Sequence, residues 1–175
     1  MVVPRVGGPP HRSRWFHLAE ITATGAAGLV PSVDAMTTTH ETTESIADFF
    51  ARYTGYLTAG DLDGLADIYH YPALAVSPAG VLSITDPAQT RAFFAQGREF
   101  YHTRQIMAVH ARDIVTDAEV PNLWVGRLVL ENLDGEGRPV GQERNAYQVV
   151  TVADGTRRIA VTTPIDAFAE AGPTV

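Results

Sequence analysis

Helical spacing of apolar residues governs the first part of the patterned chain, and strand-like segments the rest. Ile46, Phe49, Phe50, Tyr53 and Leu57 fall on one face of a 3.6-residue period, which predicts an amphipathic helix from about Glu44. Thr42, Thr43 and Ser45 are its candidate N-caps, and Gly60 stands where a helix C-terminus takes a left-handed residue. Asp61 is placed to cap a second, short helix with Leu62, Leu65, Ile68 and Tyr69 inward. Pro72 is expected to stop it, because the residue before a proline avoids the α region. The run ALAVSPAGVLSIT reads as two short strands around a Pro-Ala-Gly turn. A third helix is predicted over DPAQTRAFFAQGREFYHTR, with Asp86 as N-cap and Pro87 at the first helical position. Phe93, Phe94, Gly97, Phe100 and Tyr101 share one side of it.

From residue 105 the chain is rich in Val, Ile, Leu and Thr. Strands are predicted over 105–117, 122–133, 142–153 and 157–165, separated by the turn sequences DAEVPN, DGEGRP and ADGT. The order helix, helix, hairpin, helix, meander is an α+β layout in which helices cover one face of a curved antiparallel sheet. Residues 1–42 differ: MVVPRVGGPPHRSR is rich in Pro, Gly and Arg, and a second Met stands at position 36. This segment is expected to be a flexible leader or the product of a start assigned too far upstream. Its Pro-Gly runs and polar breaks argue against an export signal. The folded domain is expected over 43–168, with a tail over 169–175.

Composition narrows the chemistry. A chain of 175 residues is long enough for one domain with a substantial core. Its formal net charge of −7 argues against nucleic-acid binding, which needs a basic patch. All basic residues are Arg, so a P-loop lysine, a Schiff-base lysine and a lysine base are excluded. With no cysteine there is no disulfide, thiol nucleophile or Cys-bound zinc. No apolar run is long enough to span a membrane, and the cytoplasm is the expected compartment. His and carboxylate spacings give no metal set, and no Gly-rich phosphate loop lies between a strand and a helix. No cofactor is expected.

The stretch RYTGYLTAGDLDGLADIYHYPALAVSPAG resembles the helix–AGDLDG–helix–strand signature of the nuclear transport factor 2-like superfamily. That group includes ketosteroid isomerases, SnoaL-type polyketide cyclases, limonene-epoxide hydrolase and scytalone dehydratase. The resemblance covers about residues 44–166. It implies a cone-like, cystatin-like α+β fold with three N-terminal helices, an interior pocket, and a homodimer through the exposed sheet face. The apolar strand LWVGRLVL fits such an interface. The Ala59-Gly60-Asp61 joint has a structural explanation, with Gly60 free to take positive φ and Asp61 and Asp63 serving the next helix N-terminus.

Carried over residue by residue, the resemblance puts Tyr53 where the isomerases place a hydrogen-bond donor. It puts Ser77 where they place the Asp base. Their second acidic donor falls within a residue or so of Tyr147, where there is no carboxylate. A serine without an activating partner does not abstract a carbon-bound proton near neutral pH, so isomerisation by that route is not expected. Other candidate bases are His110 and Asp166. His70 and His102 read more simply as helix-end residues. Tyr53, Tyr69, Trp124 and Tyr147 are the candidate ligand contacts, since aromatic rings with polar tips suit a small, partly apolar ligand. The expectation is a protein that binds a small apolar or aromatic molecule in an enclosed pocket. The alternative is a SnoaL-like isomerase, cyclase or hydrolase with a non-standard acid or base.

Overall fold

The computed structural model describes residues 44–166 and 169–170. The leader expected over 1–42 and residues 171–175 of the tail lie outside them. Three helices, α1 (Ile46–Ala59), α2 (Leu62–Asp67) and α3 (Pro87–Thr103), accompany strands β1 (Tyr69–Ser77), β2 (Gly80–Ile84), β3 (Ala108–Val120), β4 (Leu123–Leu133), β5 (Pro139–Thr151), β6 (Arg157–Pro164) and β7 (Ala169–Glu170). The β1–β2 hairpin separates α2 from α3, so the three helices do not form one continuous N-terminal set.

Helix boundaries follow local chemistry. The Ser45 hydroxyl accepts from the Asp48 amide at 3.1 Å and caps α1. Gly60, at φ 64°, closes the same helix: its amide donates to the Leu57 carbonyl and the Asp61 amide to that of Tyr56, the paired bonds of a Schellman motif. Asp61 accepts from the Gly64 amide at 2.9 Å and caps α2. Asp86 does the same for α3 through the Gln89 amide at 3.0 Å. Asp63 pairs with Arg91 on the surface, 2.6 Å away. Both carboxylates of the Asp-Leu-Asp joint are therefore taken up by helix ends and packing.

The sheet runs β2-β1-β6-β5-β4-β3, with β7 paired to β5. It departs from the expected antiparallel sheet at one junction. The last long strand, β6, docks beside β1 in the same direction, so the sheet is mixed. The boundary of α2 also differs. Helix ends at Asp67, and Tyr69, His70 and Tyr71 already belong to β1. Pro72 sits inside that strand rather than before it, in the stretch between Tyr69 and Leu74 where the β1–β6 register shifts. A residue with no amide hydrogen is tolerated where the ladder is interrupted.

The core lies between α1 and the inner face of the sheet. Phe49, Phe50, Leu65, Ile68, Tyr69, Trp124, Leu128, Val149 and Ile159 are buried. Phe50 is its centre, with ring centroids 5.2 Å from Phe49, 5.5 Å from Trp124 and 5.1 Å from Tyr147. Strand alternation divides LWVGRLVL: Trp124, Leu128 and Leu130 point inward, while Arg127 points out and pairs with Asp117. Much of the apolar content of that strand therefore serves the core rather than the outer face.

Candidate functional site

Helix α3 has the apolar face that the sequence predicts, yet Thr90 is its one fully buried residue. Phe93, Phe94, Phe100 and Tyr101 line a cavity of about 750 Å³, with Phe94 and Tyr101 also resting against the core. The cavity lies between α3, the β1–β2 hairpin, α1–α2 and the inner face of β5. That volume suits a drug-sized organic molecule.

Its two ends differ. At the outer end Val81, Leu82, Phe93 and Phe100 are 66%, 53%, 43% and 36% exposed. Ser77 is here too, its hydroxyl accepting from the Ala79 amide at 3.3 Å in the hairpin turn. At the inner end Tyr53, Leu65, Tyr69, Leu130 and Tyr147 are buried. Tyr53 comes from α1, Tyr69 from the start of β1 and Tyr147 from β5. The Tyr53 and Tyr147 rings are 6.0 Å apart, and Tyr69 stands 5.8 Å from Phe94 of α3.

Burial pushes the phenols of Tyr53 and Tyr147 well above their ordinary range, and those of Tyr69 and Tyr101 also rise, with burial the largest cause in each. The Tyr53 phenol is close enough to those of Tyr147 and Tyr69 for each to influence the others' titration. All four therefore stay protonated at ordinary pH, as neutral groups able to donate or accept.

Glu143 reaches this inner end and was not among the residues singled out from sequence. Glu143, Asn145 and Tyr147 alternate along β5, so all three point to the cavity face. Among the described residues lining the cavity, Glu143 is the only carboxylate and Arg98, exposed on α3, the only cation. Burial raises the Glu143 carboxyl above its ordinary range, and the amides of Asn132 and Asn145 counter that by stabilising the anion. The Asn132 amide is fully buried and neither of its polar atoms has a partner within hydrogen-bond geometry, so its approach to Glu143 is a long one. The signal for Glu143 was present in the two-residue period counted back from Tyr147.

The other expected residues lie elsewhere. Trp124 does not line the cavity. It packs on Phe50 over Gly126 and donates its indole N–H to Thr116 Oγ1 at 2.9 Å. His110 is exposed on β3 opposite Glu131, because its neighbour Val109 takes the inward position. Asp166 is on the surface beyond β6, paired with Arg144, which points outward between the inward Glu143 and Asn145. The structure therefore does not bring His110 or Asp166 to the cavity. Among the described residues no three His, Asp or Glu side chains converge as a metal site. None of the described helices is long and apolar enough to cross a membrane.

Solved structures share this fold at low identity. A cystatin-like protein of unknown function from Nostoc punctiforme superposes with a TM-score of 0.55 at 12% identity, over 67% of this chain and 84% of that one. An NTF2-like protein from Novosphingobium aromaticivorans gives 0.55 at 13%, over 69% and 79%. A Mycobacterium tuberculosis protein of unknown function gives 0.51 at 17%, over 68% of each chain. No curated protein matches the chain. Residues 40–167 match the family described as NTF2-like protein (DUF6841), and the chain belongs to that family.

Proposed function

We propose that this protein binds a small apolar or aromatic molecule in the cavity under α3. The observation that carries the reading is the apolar face of α3, which lines a space of about 750 Å³ even though Phe94 and Tyr101 of that face also pack against the core. Apolar walls with a few polar groups at the inner end are the ordinary make-up of a small-molecule site. Ser77, at the hairpin end, supports binding over isomerase-type proton abstraction, because its hydroxyl is engaged within the hairpin turn by the Ala79 amide and the Gly80 carbonyl. Mass spectrometry of molecules that co-purify with the protein under native conditions tests this. One organic species in about equimolar amount is the expected result; an empty cavity in protein from every source tried counts against it.

A SnoaL-like isomerase, cyclase or hydrolase is the second reading. Glu143 favours it over a passive pocket, since a partly buried carboxyl beside phenols is a group that transfers protons. His110 and Asp166, outside the cavity, lend it no support. The homodimer is proposed on the family resemblance, and sedimentation equilibrium at micromolar concentration checks it: a monomer contradicts it.

A further inference from the structure

The strongest unexplained feature of the molecule is a half-buried carboxyl group on the wall of a largely apolar cavity, in no ion pair among the described residues. Glu143 belongs to none of the ion pairs of the described residues. Arg98 is exposed on α3 beside Gly60, its guanidinium 3.3 Å from where a Cβ at Gly60 would stand. The groups facing Glu143 are neutral: Tyr101 from α3, Tyr147 and Asn145 from its own strand and Asn132 from β4, with Tyr53 of α1 and Tyr69 of β1 beyond Tyr147. A partly buried charge with no opposite charge beside it is costly, and a ligand that brings the opposite charge offsets that cost.

We propose that Glu143 is the anchor for a primary or secondary amine carried on an aromatic or aliphatic body, the ammonium pairing with the carboxylate and the apolar part filling the space under α3. This rests on the small-molecule reading above and names the ligand class. Three observations support an amine over a neutral carbonyl compound. Rings of Tyr53, Tyr69, Tyr101 and Tyr147 surround the inner end, and aromatic faces attract ammonium groups by cation–π interaction. Phenol and amide oxygens there can accept the remaining N–H bonds. The formal net charge of −7 raises the local concentration of cations.

The raised Glu143 carboxyl gives the proposal a sign. An ammonium needs the carboxylate, so affinity for an amine rises as pH rises through the Glu143 titration. A carbonyl acceptor needs the protonated carboxyl, so its affinity falls over the same window.

The test is calorimetric titration of the full-length chain with a naphthylmethylamine and with the matching naphthylmethanol, between about pH 5 and about pH 8. The amine is expected to bind about tenfold or more tighter than the alcohol at the upper pH, an advantage that shrinks at the lower pH and is lost in Glu143→Gln. Equal affinity for both probes, or an amine affinity that falls with pH, overturns the amine proposal and leaves the cavity reading standing. Failure of both probes to bind overturns the cavity reading and the amine proposal together. The pH and probe comparisons use the unaltered protein, so the outcome does not depend on whether the variant folds.

Discussion

Helices α1 and α3 carry similar apolar faces and put them to different use. Phe49, Phe50, Tyr53 and Leu57 of α1 are all under one-tenth exposed, against the sheet. Phe93 and Phe100 of α3 are each more than a third exposed, over a cavity. α1 has the inner faces of β3, β4 and β5 to pack on, including Trp124 and Tyr147. α3 rests on α2 and touches β1 lightly. Periodicity reports which side of a helix is apolar, and the neighbour decides whether that side becomes core or binding surface. In this domain the apolar face of α1 is core, and much of that of α3 lines a cavity.

Substitutions break the comparison in a definite order. Phe50→Ala removes the ring around which Phe49, Trp124 and Tyr147 are arranged, and is expected to cost about 3–5 kcal/mol in chemical unfolding. Gly126→Ala comes next. A Cβ there would stand 2.3 Å from both the Trp124 ring and the Val115 carbonyl oxygen, so overpacking of about 1–3 kcal/mol is expected from the same measurement.

Glu143→Gln alters the pH dependence rather than the fold. The folded chain holds the Glu143 proton more tightly than the unfolded chain does, so stability falls as pH rises from the ordinary carboxylate range through the raised folded value. The variant lacks that loss and should be the more stable protein at about pH 8, with the difference vanishing or reversing near about pH 4. Parallel unfolding profiles across that range would contradict the assigned environment. Phe93→Ala is expected to change stability least, by about 1 kcal/mol or less, while weakening binding of an apolar probe. A loss as large as that of Phe50→Ala would place α3 in the core and erase the contrast.

Features set by local chemistry were legible in the sequence. Ser45, Asp61 and Asp86 cap helices because a short polar side chain can reach the free amides of a first turn, and Gly60 closes α1 because it tolerates positive φ. The four strands of the meander announced themselves by composition and turns. What depended on distant chain segments did not. The parallel docking of β6 on β1 is set by the whole sheet order, and the entry of Tyr69 into a strand depends on pairing with Ile159, ninety residues away. Trp124 and Tyr147 look alike as inward aromatics, and only packing puts one beside Thr116 and the other on the cavity. Glu143 was within reach of sequence reasoning. It is not adjacent to Tyr147, but the two-residue period of the strand puts Asn145 and then Glu143 on the same face.

Filling the space under α3 tests whether it is a binding site. Ala75 is a small, half-buried residue on the cavity wall, so Ala75→Trp fills part of the space. Titration of an apolar fluorescent probe into the full-length protein should give one site per chain, with the affinity reduced about tenfold or more in Ala75→Trp and thermal stability retained. Unchanged probe affinity in a folded Ala75→Trp protein would show that the probe binds elsewhere and that the space under α3 is not the site.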